Sequence, residues 1–512
     1  MRSLTIERWI TWTLAIAVLV LLGFQFSSVY VAPIHDSYLW WGDESWLMNE
    51  YREQMTSGVF RHPQAYGSSL RIGNPFPFTA MWLTSAIYGT AALVSDSSLV
   101  DAGRTITAVL ALLLLFSIWR GARSLALTGL AITAGISLLV SSRSFFLTSH
   151  SARYDIATAL ALLSVSYLLI QDLQSKRARS FLRLGLLWGA SMVVSIHVPL
   201  LLLLPVCYYL VVQRVSLKDM VRVVLGAIVS VGALFLIHLL TQPSLVGETN
   251  LSENLRTIPI LRPFSWSVQS SNFVQKWDLI TSFAPQILLC LLAIFEGLRC
   301  KSLARTNKQA IVLLALPMIG WLFIQPAGPS SYVIHFLPCL VLAAAISIET
   351  MLVGNWQRIA IGVVAAILIA LGVRDAVIAG KIGAELTQAN REAISKISSL
   401  TAGKQLVALN PAQSQLQSQL QSAATTHFVE LPHRQAMQLS GEGYLVTYNS
   451  SILPNFMWEV APLRSEVTSP DLVQTGRLLD VGRSYFEPLD SRLDTIFLQR
   501  LDLTSLYRRH ID

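Results

Sequence analysis

A chain of 512 residues that is 53% hydrophobic and only 13% charged lacks the make-up of a water-soluble globule, which carries about twice that share of charge. The formal net charge of +8 sits in short basic clusters between apolar runs, the pattern of loop charges that fix membrane topology, so no nucleic-acid partner is expected. Cys207, Cys290, Cys300 and Cys339 lie in or beside apolar segments with no metal-ligand spacing, which excludes a disulfide scaffold and a zinc site.

At the N-terminus, Arg2 and Arg8 precede an apolar run that reaches Phe26. A signal peptide has the same opening, but no small-x-small cleavage site follows, and an uncleaved first helix is expected. Further apolar runs, such as 108–119, 156–170 and 221–240, approach or reach the length that crosses a hydrocarbon core of roughly 30 Å. Helices must do the spanning, because a backbone in hydrocarbon has to satisfy its own hydrogen bonds.

Apolar length alone gives about twelve candidates, one of them 76–94, which opens on Asn74-Pro75-Phe76-Pro77 and has polar breaks. If 76–94 lies at the interface, the basic loops Arg120 to Arg123, Lys176 to Arg183, Arg214 to Arg222 and Arg299 to Lys308 all fall on the N-terminal side. The positive-inside rule therefore favours about eleven spans, at roughly 10–31, 104–119, 125–142, 155–171, 181–197, 199–213, 221–241, 278–298, 309–325, 331–352 and 357–373.

An odd number leaves the N-terminus in the cytoplasm and places everything after Arg374 outside, together with the long loops 32–103 and 242–277, where chemistry is expected. From Arg374 the composition becomes ordinary. A polar helical stretch runs to Leu400, followed by β-like runs at 405–409, 443–448 and 495–499 and a low-complexity Gln-rich segment at 412–424. The fold class expected is an all-α polytopic membrane domain, residues 1–373, with about 11 transmembrane helices and two interfacial helices in its first external loop, joined to a small C-terminal α/β extracytoplasmic domain, residues 374–512.

The first external loop carries Asp43 and Glu44 among aromatic residues, just beyond the membrane and ahead of an amphipathic stretch, 44–56. Such acids serve equally well as a helix cap and a dipole partner, or as the group that accepts a proton from an attacking hydroxyl or amine. Between the third and fourth spans a polar knot, 141–155, contains Arg143, His150, Arg153 and Asp155. His150 reads as a surface residue, while an acid entering a bilayer helix, as Asp155 does, calls for a functional reason.

This arrangement of Asp43-Glu44 after the first span, an amphipathic helix, a Pro-containing second helix, Arg104 opening a span and a later Asp155 resembles GT-C glycosyltransferases. The likeness is to the protein O-mannosyltransferase and lipid A aminoarabinose transferase superfamily. It covers roughly residues 9–200 and, more loosely, Tyr332 to Pro338. The resemblance implies a glycosyltransferase that draws a hexosyl or pentosyl group from a polyprenyl-phosphate donor. The acceptor is a lipid, glycan or protein at the outer face of a bacterial inner membrane, and the transfer inverts the anomeric centre.

It further implies Asp43, Glu44 and Asp155 as the catalytic acids, with Glu44 the lesser partner of Asp43. Relatives of the aminoarabinose type have a lysine before the proline of the second interfacial helix, where this chain reads Arg71-Ile-Gly-Asn74-Pro75. Arg61, Arg71 and Arg153 are then the candidates for the carrier phosphate, since guanidinium holds phosphate through paired hydrogen bonds. His197 and His335, near outer ends of their spans, complete the substrate-binding candidates. No resident metal is assigned, although Asp43, Glu44 and Asp155 are hard-oxygen ligands suited to a divalent cation. A transporter or flippase of lipid-linked glycans has the same gross features, but no pair of broken helices or inverted repeat is legible.

Overall fold

The computed structural model describes residues 2–26, 82–94, 99–175, 181–195, 197–241, 284–323 and 332–401, the single positions Glu44, Met48, Tyr51 and Met55, and five strands. The helices are α1 (Arg2–Phe26), α2 (Trp82–Val94), α3 (Leu99–Ser124), α4 (Gly129–Val140), α5 (Arg143–Ser149), α6 (Asp155–Ser175) and α7 (Phe181–Ala190). They continue with α8 (His197–Val212), α9 (Leu217–Thr241), α10 (Ala284–Arg299), α11 (Arg305–Phe323), α12 (Val333–Met351) and α13 (Asn355–Thr401). A helix stands within each of the segments expected to span. Among the described residues, 6 helices are long and apolar enough to cross a membrane, or up to 7 if the bent pair α4–α5 is one span.

Helix α12 is the axis of the bundle. Every residue from Val333 to Ile348 is buried, against α10, α11, α6 and α4, so its side chains alternate among neighbours rather than between core and surroundings. The outer helices present Leu112, Leu113 and Phe116, or Val224, Ile228 and Val229, with about half of each side chain exposed. Apolar faces of that extent are what lipid contact requires and what a soluble monomer avoids. Helices α7 and α9 meet at small residues: a Cβ at Gly189 would lie 2.7 Å from the Ala227 carbonyl oxygen, and one at Gly226 would lie 2.8 Å from the Leu186 amide nitrogen. Ser230 Oγ then reaches the Leu186 carbonyl at 2.8 Å, so close backbone approach replaces hydrophobic driving force, as it must within lipid.

The chain bends by 70° between α4 and α5. A break in an apolar bundle frees backbone carbonyls, and here two glutamines take them: Gln25 of α1 donates to Val140 O at 2.9 Å and Gln286 of α10 donates to Ser141 O at 3.1 Å. Ser142 caps the second arm by accepting from the Phe145 amide at 3.1 Å. The span expected at 125–142 ends at this break, and α5 falls within the polar knot 141–155 that follows it.

Helix α13 runs unbroken through 47 residues, so the change of composition at Arg374 falls inside one helix. Beyond it lies a five-stranded mixed sheet of order β2-β1-β3-β5-β4: β1 (Gln405–Ala408), β2 (Phe428–Glu430), β3 (Glu442–Asn449), β4 (Leu472–Arg477) and β5 (Thr495–Asp502). Strand β1 pairs in parallel with β2 and β3, and β5 is antiparallel to β3 and β4. Strands β1, β3 and β5 stand at the expected β-like runs, while β2 and β4 were not foreseen. The Gln-rich segment and the loop 242–277 lie outside the described residues.

Gln25→Leu should lower stability by about 1–3 kcal/mol, because the Val140 carbonyl at the bend is left buried without a donor. Thermal unfolding of the detergent-solubilised protein checks this, and an unchanged midpoint would remove the glutamine from the account of the bend.

Candidate functional site

The N-terminal ends of α3, α6, α8 and α12 come together with α2 and with Glu44, Met48 and Tyr51 of the segment between α1 and α2. Glu44, Met48, Tyr51 and Met55 are all helical, at spacings that put them on one face, and the first three are fully buried. That face rests on α3 where glycine allows it. A Cβ at Gly103 would lie 2.6 Å from Ala152 Cβ and closer still to the Met48 sulfur.

The close approach delivers Glu44 to Arg104. Arg104 Nε donates to Glu44 Oε1 at 3.0 Å and Nη2 donates to Oε2 at 2.7 Å, while the Ala152 amide donates to Oε1 at 2.7 Å. Both side chains are entirely buried. Glu44 is therefore a carboxylate committed to a two-pronged guanidinium, which anchors the loop and does not suit a free base. The sequence reading noted Arg104 only as part of the resemblance; its partnership with Glu44 was not foreseen.

Asp155 opens α6, where the helix N-terminus favours a carboxylate. Its Oδ2 accepts from Arg153 Nε at 2.8 Å and its Oδ1 accepts from His335 Nε2 of α12 at 2.8 Å, with the Asp155 and His335 side chains wholly buried. Tyr88 of α2 holds the Arg153 loop in place by donating to the Arg153 carbonyl at 2.8 Å, and pairs with Thr107 Oγ1 at 2.7 Å. The hydroxyls of Tyr154 and Tyr332 meet at 2.8 Å. Burial, then the neighbouring Tyr332 and Asp155, push the Tyr154 phenol well above its ordinary value, so it stays neutral. His197, at the start of α8, lies 5.3 Å from the His335 ring and 4.9 Å from that of Tyr332, centroid to centroid.

The structure thus gathers Glu44, Arg153, Asp155, His197 and His335 at one end of the bundle. Asp43, Arg61 and Arg71 lie outside the described residues. Tyr88, Tyr154 and Tyr332 were not among the expected site residues; only their position beside Arg153, Asp155 and His335 marked them. His150, read as a surface residue, is instead buried: its Nδ1 lies 2.6 Å from Phe146 O and its Nε2 contacts Gln25 O, so it ties α1 to α5. Among the described residues no group of three or more His, Cys, Asp or Glu side chains has an arrangement suited to a metal ion, and both gathered carboxylates already face arginine.

The described residues thus form a helical bundle with a charged, aromatic-lined cluster where its helices begin. Two solved structures show the likeness: ArnT from Cupriavidus metallidurans bound to undecaprenyl phosphate, and ArnT from the same organism in the apo state. Each matches with a TM-score of 0.57 at 13% identity over 95% of this chain, covering 98% of the bound ArnT chain and 97% of the apo one. At that identity the likeness is one of fold, and at that level it agrees with the resemblance read from the first loop. No protein-family model matches the chain, and no curated protein matches it in sequence.

Arg104→Met alone should cost about 3–5 kcal/mol, because it strands a buried carboxylate, whereas Arg104→Met combined with Glu44→Met should recover much of that loss. Unfolding midpoints of the two single variants and the double variant form the test. Costs that simply add would show that the two side chains do not depend on each other.

Proposed function

We propose that this chain is an integral-membrane glycosyltransferase that moves a hexosyl or pentosyl group from a polyprenyl-phosphate carrier to a lipid, glycan or protein acceptor at the outer face of the membrane. One observation carries the reading. Buried carboxylates, arginines and histidines converge where helices begin, in a chain that shares its fold with ArnT over 95% of its length. The ArnT structure holds undecaprenyl phosphate.

The direction of the helices supports an outward-facing site. Arg104 is near the start of α3 and Arg123 closes it; Asp155 opens α6 and Lys176 follows it; His197 opens α8 and Arg214 follows it. In each helix the site residue stands at one end and the basic residues at or beyond the other. The positive-inside rule puts the basic ends in the cytoplasm and the site outside. About eleven spans, an N-terminus in the cytoplasm of a bacterial inner membrane, and an extracytoplasmic domain over 374–512 complete the proposed topology.

In the reaction the acceptor oxygen or nitrogen bonds to the anomeric carbon as the bond from that carbon to the phosphate oxygen breaks, and the carrier phosphate leaves with the electron pair. A single displacement of this kind inverts the anomeric centre. The acceptor's proton needs a carboxylate that is not already neutralised. Glu44 and Asp155 are both bound to arginine, so the role falls to Asp43, next to Glu44 in sequence and carried by the loop that Glu44 anchors. Arg61 and Arg71 are the proposed phosphate ligands, helped by the positive ends of converging helices. Arg153 is committed through Nε to Asp155 and organises the site beside it.

The test is transfer of radiolabelled sugar from purified undecaprenyl-phosphate donors by solubilised protein. Asp43→Asn should lower transfer by about two to four orders of magnitude at unchanged unfolding temperature. Unimpaired transfer would move the base elsewhere. No wild-type transfer from any donor, together with movement of lipid-linked glycan across proteoliposomes, would replace the enzyme with a transporter. Parallel assays with EDTA ask whether a divalent cation shares the charge.

A further inference from the structure

Asp155 lies against Arg153 and is ionised, so it accepts hydrogen bonds and donates none. The hydrogen between it and His335 therefore belongs to His335 Nε2, and in the neutral ring Nδ1 is an acceptor. Among the described residues, that Nδ1 is buried with no hydrogen-bond partner, and the same is true of His197 Nδ1 on the neighbouring ring. Buried polar atoms are rarely left unpaired, and an unpaired one has a cost that a ligand can remove. The two rings are wedged among Tyr154 and Tyr332, whose hydroxyls are occupied with each other.

We propose that the Nδ1 atoms of His335 and His197 form a subsite for a hydroxyl group of the carrier-linked sugar, an inference that rests on the glycosyltransferase reading above. An acceptor nitrogen fixed in its tautomer by Asp155 suits a hydroxyl and not a phosphate, which itself offers only acceptors at neutral pH. Both histidines are carried on apolar helices of the bundle and not on its loops, so the ligand that reaches them is the membrane-borne one. His335 recognises the sugar, and Asp155 is its positioning residue.

His335→Gln separates this role from a structural one, because the glutamine amide takes the place of Nε2 and still donates to Asp155, while the acceptor at Nδ1 is lost. Binding of undecaprenyl-phospho-mannose and undecaprenyl-phospho-aminoarabinose is measured beside binding of undecaprenyl phosphate, with unfolding temperature as a control. The variant should bind the sugar-linked donor that the wild type prefers about tenfold more weakly, the size of one neutral hydrogen bond, and bind undecaprenyl phosphate as the wild type does. His197→Phe, which keeps the ring contacts and removes the nitrogens, should show the same selectivity on a smaller scale if His335→Gln does not fold. Equal loss for sugar-linked and bare carrier overturns the subsite, and so does no loss for either, which leaves the nitrogens to water. Failure of the wild type to bind any of the three lipids would instead bring down the glycosyltransferase reading, and the subsite with it.

Discussion

The buried ion pair of Glu44 and Arg104 is the contact on which the rest of this end of the molecule depends. Two charges taken out of water cost several kcal/mol each unless geometry repays them. Here the fork-on-fork arrangement and the Ala152 amide supply that repayment. The pair joins the segment between α1 and α2, the start of α3 and the loop before α6. Those segments carry, in order, Asp43, Thr107 with its link to Tyr88, and Arg153 with Asp155. A segment whose Met48 and Tyr51 also pack into the bundle is thereby given one register on it.

The second cluster obeys the same rule with a different balance. Asp155 has one permanent cation in Arg153 and one titratable partner in His335, so its charge is neutralised without a second arginine. That arrangement leaves a histidine nitrogen spare. A tryptophan indole in place of His335 would also donate to Asp155 and would present no acceptor to a ligand. Stability therefore accounts for Arg153, and the histidine calls for another explanation, which is the reason it is read as part of a binding surface.

Hydropathy made most of the helical architecture legible, because a hydrocarbon environment leaves the backbone few choices and so marks every span with the same composition. What it concealed follows from the same cause. The bend at Ser141 and Ser142 depends on Gln25 and Gln286, both far away in sequence. The pairs that build the site join residues 60 and 180 positions apart, and no local pattern carries such information. His335 read as a lone histidine because its partner lies on another helix. Arg104 entered only as part of the resemblance, and nothing local to it chooses between Asp43 and Glu44 as its partner. The β1, β3 and β5 runs were legible by their alternation, while β2 was too short and β4, interrupted by Gly476 and a bulge, too irregular.

The low identity to ArnT at nearly full coverage has the same physical origin. Positions facing lipid need only be apolar, and Leu, Ile, Val, Phe and Ala exchange there at little cost, so identity decays while helix lengths and order persist. The positions where a wrong residue would strand a charge or block a backbone contact are Glu44 with Arg104, Arg153 with Asp155, and the glycines 103, 189 and 226. They are few, and they lie where helices begin or cross. A membrane fold of this kind is thus held by a small set of polar and glycine contacts within a bulk that constrains composition alone, and the same contacts place the carboxylates and histidines at one end of the bundle.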